Sequence, residues 1–176
     1  MILPKEMICL DIETTGTDFD ISSVIQISAV LVDKQLNIID EFDEYVKPLN
    51  WYRKSKAMEV NKISEETMAE GLSLNTALEL FENFCGRNKF IASWPSGFDW
   101  PFLRKQYDKI GRAYPFGRRV VCLKSIAIWE MAKRNLEVKG GVKKVIESLN
   151  KKFIGIPHNA IDDIKNTVYI LQELIK

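Results

Sequence analysis

Hydrophobic positions fall along the chain in two rhythms, and the first is that of strands. Met7-Ile8-Cys9-Leu10 is a continuous apolar run inside a strand predicted from Glu6 to Glu13. Thr14 to Ser23, with Gly16 and several polar turn formers, predicts a loop. Val24 to Val32 predicts a second strand, and Asp33-Lys34-Gln35 turns it into a third from about Leu36 to Val46, ended by Pro48. Short connections between three strands suggest an antiparallel meander.

Helical spacing takes over after that. Ser64-Glu65-Glu66-Thr67 reads as a helix start with acids in its first turn, and Asn75 as the cap of a helix presenting Leu78, Phe81 and Cys85 on one face. Lys89 to Ser93 predicts a short strand, Trp94-Pro95-Ser96-Gly97 a break, and Phe98 to Ile110 a helix. Val120-Val121-Cys122 reads as the last strand. Further helices are predicted over Lys124–Asn135, Val142–Asn150 and Ala160–Lys176, the last with apolar residues at 161, 164, 168, 171 and 175. The expected fold is α/β: a mixed five-stranded sheet, meander first and parallel strands after, flanked by helices as one domain over residues 1–176.

Composition narrows the class. At 176 residues with 46% hydrophobic and 28% charged side chains, the chain is long enough to bury about 70% of its unfolded surface, which excludes whole-chain disorder and a disulfide-built mini-protein. Cys9, Cys85 and Cys122 are odd in number, far apart and next to apolar residues, so they read as small buried thiols in a reducing compartment. The N-terminus reaches Lys5 and Glu6 too soon for a signal peptide, and the most apolar run, Val24 to Val32, is interrupted by Gln26 and Ser28. The expectation is a cytoplasmic protein without membrane association.

The formal charge of +1 conceals an uneven distribution. Residues 1–100 carry 9 basic and 17 acidic side chains, whereas residues 101–152 carry 14 basic and 4 acidic. Solvated helix faces would explain the basic block. So would a track for a polyanion built from Arg118-Arg119, Lys143-Lys144 and Lys151-Lys152.

Strand alternation puts Asp11 and Glu13 on one face at the end of the first strand. Two acids there repel each other and lose hydration, a conflict that Mg2+ or Mn2+ would resolve, although a strand end reaching solvent would also explain them. Asp99 follows Phe98 near a helix start, where an acid also suits the helix dipole. His158, the one histidine, precedes the last helix, which carries Asp162 and Asp163 in its first turn.

Together these segments resemble the DEDDh family of 3′–5′ exonucleases, relatives of the proofreading subunit of bacterial replicative polymerase. Asp11-Ile12-Glu13-Thr14-Thr15-Gly16 matches the first motif, Phe98-Asp99 followed by Phe102-Leu103 the second, and His158-x-Ala160-x-x-Asp163 the third. The match runs in order over nearly the whole chain, and its spacing selects Asp163 over Asp162. Trp94-Pro95 stands where many members have His-Asn or Gly-Asn, and no companion acid follows the last strand near Cys122-Leu123-Lys124. Glu41 to Pro48, Ser93-Trp94 and the Asp-Asp-Ile of the third motif resemble exoribonuclease branches, whereas Glu-Thr-Thr-Gly resembles the proofreading type.

The resemblance implies a ribonuclease H-like fold and hydrolysis of single-stranded RNA or DNA from 3′ ends to nucleoside 5′-monophosphates, with a slight lean to RNA. It implies two divalent ions, Mg2+ or Mn2+, held by Asp11, Glu13, Asp99 and Asp163, with His158 as general base. Thr14 and Thr15 would meet the terminal nucleotide; Trp94, Phe98 and Trp100 are candidates to contact its base. Two other readings compete: an endonuclease of the ribonuclease H kind, which the histidine before the last helix disfavours, and a non-catalytic nucleic-acid-binding or polymerase-accessory module, which has no use for repelling acids.

Overall fold

A computed structural model describes residues 3–51, 55–86, 89–117, 119–137 and 140–175. Arg118 of the proposed basic track lies outside these residues. The strands are β1 (Met7–Thr14), β2 (Val24–Val32), β3 (Ile38–Tyr45), β4 (Phe90–Ser93) and β5 (Val120–Cys122). The helices are α1 (Lys56–Asn61), α2 (Glu65–Glu70), α3 (Leu74–Cys85), α4 (Ser96–Lys109), α5 (Leu123–Ala132), α6 (Val142–Ser148) and α7 (Ala160–Leu174). The strands line up as β3-β2-β1-β4-β5 in one mixed sheet. β1, β2 and β3 are antiparallel, while β4 and β5 run parallel to β1.

Alternation along β1 sorts its side chains to two cores. Met7 and Cys9 pack with α5, α6 and α7 through Ala127, Met131, Val145, Ile164, Val168 and Leu171. Ile8, Leu10 and Ile12 pack the other way, against Leu78 and Phe81 of α3 and Phe102, Leu103 and Tyr107 of α4. Each fully buried aliphatic contributes about 1.5–3 kcal/mol, so both faces of the central strand are strongly specified. β2 is buried along its whole length, and its two polar residues are satisfied by β3: Gln26 Nε2 and Ser28 Oγ both donate to Asp43 Oδ1.

Several boundaries differ from expectation, each for a local reason. Leu36 belongs to the β2–β3 turn with φ 67°, in a loop where Asp33 Oδ1 accepts the N–H groups of Gln35 and Asn37. Ser73, not Asn75, caps α3: its hydroxyl accepts the Thr76 N–H, and Asn75 lies inside the helix, where its side-chain carbonyl accepts from Arg112. α4 starts two residues early, at Ser96. α5 and α6 end three and two residues short of prediction, before Asn135 and Asn150, both in the left-handed region. α1 was not anticipated. Among the described residues no helix is long and apolar enough to cross a membrane.

Candidate active site

β4 pairs with β1 only as far as Ser93 opposite Leu10. Past that point β1 keeps β2 on one side and has an open edge on the other, along residues Asp11 to Thr14. α4 begins just beyond β4 and brings Asp99 there, where burial pushes its carboxyl well up, against the Ser93 hydroxyl and the backbone N–H groups of Asp99 and Ile12, which favour the ionised form. Asp99 is only 2% exposed, and its Oδ2 has no hydrogen-bond partner.

Asp11 and Glu13 share the α7 side of the sheet, as alternation predicts, and meet Asp163 from the first turn of α7. Carboxylate oxygens of these three residues lie within 4.8 Å of one another. Asp99 stands outside that trio but faces Asp11. Burial first, then the charges of Asp99, Glu13 and Asp163, push the Asp11 carboxyl well above the ordinary range. Burial and Asp163 raise Glu13 to about 7, against a hydrogen bond from Asn61. Burial also raises Asp99 and Asp163, the latter opposed by the His158 N–H that its Oδ2 accepts at 3.1 Å. Four acids held at one opening, all pushed toward the neutral form and one with an orphaned oxygen, form a donor set suited to hard divalent cations.

His158 lies exposed on the loop between α6 and α7, at φ 65°, with its backbone tied to Asp163. Thr14 and Thr15 are buried, and their hydroxyls are engaged in the loop after β1. Thr14 Oγ1 donates to the Gly16 carbonyl, and Thr15 Oγ1 accepts the Ser23 N–H. Gly16 is needed there because a Cβ would sit 2.6 Å from Ser22 Oγ. Lys105 pairs with Asp20 at 2.6 Å and Lys109 donates to the Ser22 carbonyl, so the same loop is fastened to α4.

The aromatic candidates separate. Trp94 is 7% exposed within the core that holds Cys9 and Leu123, a packing position without a free face. Trp100 turns away from Asp99, edge-on to Tyr114 with the Arg104 guanidinium over its ring. Phe98 is half-buried and contacts Phe102 and Phe19, the latter an exposed loop residue that sequence reasoning passed over. Asn61, also passed over, ends α1 by donating to the Thr14 carbonyl while its side chain reaches Glu13. Ser55, at the other end of α1, donates to the Thr15 carbonyl. α1 thus braces the strand end that carries the acids.

Part of the basic block pairs within the fold: Arg112 with Glu82, Lys133 with Glu130, Lys151 with Glu173, and Arg134 with the α7 carbonyls of Glu173 and Leu174. Arg119, with Lys5 and Lys89, lines a cavity of about 520 Å³ at the opposite end of β4 and β5 from the carboxylates. Of the cysteines, Cys9 and Cys85 are buried with raised thiols, Cys9 pushed up to about 12. Cys122 is half-buried instead. Burial works to raise its thiol, but hydrogen bonds from Ser125 and Ser96 prevail and bring it down to about 7.

Comparison with known proteins fits this geometry. A family model described as exonuclease, RNase_T, matches residues 8–171. A DNA polymerase III PolC-type protein of Thermotoga petrophila is 30% identical over 103 residues, which make up 58% of this chain and 7% of that relative. This chain therefore spans a small part of that relative's length. Cell-death related nuclease 4 superposes with a TM-score of 0.84 at 23% identity, over 97% of this chain and 64% of its own. The nuclease domain of 3′hExo, a DEDDh family member solved with rAMP, superposes with a TM-score of 0.80 at 19% identity, over 97% of this chain and 92% of its own. At these identities the superpositions establish the fold, which is ribonuclease H-like.

Proposed function

Since the chain belongs to the RNase_T exonuclease family, we propose that it is a metal-dependent 3′–5′ exonuclease releasing nucleoside 5′-monophosphates from single-stranded nucleic acid, RNA in preference to DNA. The carrying observation is the gathering of Asp11, Glu13 and Asp163 within 4.8 Å, with buried Asp99 facing Asp11. No fold gains from such mutual repulsion, whereas a phosphodiesterase needs cations there. Asp11, Glu13 and Asp163 would hold one Mg2+ or Mn2+, and Asp99 with Asp11 a second. Such a pair of ions stabilises the attacking and leaving oxygens of a displacement at phosphorus.

The chain's own groups would do the rest. His158, exposed with its backbone N–H on Asp163, would accept the proton of the attacking water. Phe98, beside Asp99, would meet the terminal nucleotide. With their hydroxyls engaged, Thr14 and Thr15 would act by shaping the loop around it. The lean to RNA rests on the exoribonuclease-like segments of the sequence and on the adenosine monophosphate carried by 3′hExo.

The test uses 5′-labelled RNA and DNA strands with Mg2+, Mn2+ or chelator. A ladder shortened from the 3′ end that disappears in Asp11→Asn, and is stronger on RNA, is expected. A single internal cut, or retardation without cleavage, would remove the proposal; a stronger ladder on DNA would reverse its sugar preference. His158→Ala should keep metal binding and lose most turnover at pH 7.

A further inference from the structure

The loop that carries His158 is held to α7 by a row of hydrogen bonds at alternate residues. The Ile154 N–H donates to Asn166 Oδ1 at 3.0 Å, the Ile156 N–H to Asp162 Oδ2 at 2.9 Å, and the His158 N–H to Asp163 Oδ2 at 3.1 Å. Asn166 grips hardest, since its Nδ2 also donates to the carbonyls of Ile154 and Asp162, both at 2.7 Å. It is 1% exposed. A buried amide with this many engaged groups has one workable orientation, and losing them would leave unpaired polar atoms.

Beyond Phe153, which packs against the core, burial of apolar side chains does not select this loop conformation. Ile154 and Ile156 are 67% and 70% exposed, so the loop gives up hydrophobic contact while its backbone hydrogen bonds are met. Gly155 makes the arrangement possible. It has φ 89°, and a Cβ there would lie 2.4–2.6 Å from the Asp162 carboxylate, which passes over it to reach the Ile156 N–H.

We propose that Asn166, with Asp162 and Gly155, is a positioning residue: it sets the register of the loop on α7 and thereby places the His158 imidazole over the carboxylates. Asn166 touches neither substrate nor metal ligand side chains in this role. The inference rests on His158 acting as general base, and it also makes a structural claim that can be read without turnover.

Asn166→Asp keeps the shape of the side chain but, ionised or protonated, cannot supply both donors. The loop then loses its deepest anchor while α7 keeps its apolar stripe. Because the chain has a single histidine, its imidazole gives one set of proton and nitrogen resonances without assignment. Those resonances should shift toward free-imidazole positions and sharpen in Asn166→Asp, recorded in chelator. Turnover at pH 7 should fall at least tenfold with KM for the strand within twofold, and Mn2+ affinity by calorimetry should stay within threefold. In a His158→Ala background the same substitution should cause little further loss. Gly155→Ala, on an exposed loop outside the core, should repeat the signature and covers the case in which Asn166→Asp folds poorly.

Unchanged histidine resonances in the variants would overturn the proposal. So would an equal loss of turnover with and without His158, which marks a general packing defect. Wild-type-like turnover of His158→Ala itself would remove the general-base assignment, and the resonances would still decide whether Asn166 holds the loop.

Discussion

Glu13→Gln should make the metal-free protein more stable while destroying its activity. In an unfolded chain the Glu13 carboxyl titrates near 4.5; burial and the neighbouring Asp163 raise it to about 7 in the fold. Below pH 4.5 both states hold the proton and the shift costs nothing. As pH climbs from 4.5 through 7, the folded state keeps a proton that the unfolded state has lost, so stability falls. Above 7 the full penalty applies, at most about 3 kcal/mol at 1.36 kcal/mol per pKa unit. A glutamine keeps the shape and the contact with Asn61 but carries no charge. In urea titrations with chelator, wild type and variant should be similar at pH 4.5, and the variant should gain up to about 3 kcal/mol at pH 8.5. For a chain of this size that corresponds to roughly 6–12 °C in Tm. Saturating Mn2+ should narrow or reverse the gap, because it binds the folded wild type. A gap independent of pH, or a variant no more stable than wild type at pH 8.5, would refute the account of Glu13 as a strained acid.

Asn61→Ala removes the side chain that steadies Glu13 and the Thr14 carbonyl, and should weaken Mn2+ binding roughly 10- to 100-fold by calorimetry, as loss of an outer partner commonly does. Cys122, with its thiol brought down to about 7, should be alkylated first at pH 7.5, with Cys9 and Cys85 modified only on unfolding; mass spectrometry of the labelled peptides decides. Ser73→Ala should cost about 1 kcal/mol of stability in urea titration without altering turnover, because it removes the cap of α3 far from the acids.

How much of this was legible depended on the range of the interaction. The spacing of Asp11 and Glu13 on a strand needs only a two-residue period, and the sheet honours it. Asp99 and Asp163 are ordinary first-turn helix acids when read singly; they gain meaning from the order of three motifs, and from an opening created where β4 stops short of β1. Trp94 follows a strand and an aromatic there looks available, but which face it meets is decided by α5 and α7, more than twenty residues later. α1 escaped notice because six residues carry little periodicity, and its ends are fastened to the carbonyls of Thr14 and Thr15, some forty residues away in the chain. Charge counts do not show which basic residues pair within the fold, for the same reason: Lys151 finds Glu173 and Arg112 finds Glu82 only after folding.

β1 has one more consequence. Its even residues, Ile8, Leu10 and Ile12, enter one core, while Met7 and Cys9 enter the other, in line with Asp11 and Glu13. Sliding β1 by a single residue against β2 would turn both acids into the apolar bed of α3 and α4 and carry Ile12 out among the remaining carboxylates. Close packing of the aliphatic side chains in both cores already opposes such a slip, and the acids oppose it further. The acidic end of the strand therefore also works as a gauge of correct assembly, because a misaligned sheet would break up the carboxylate cluster and wet the core.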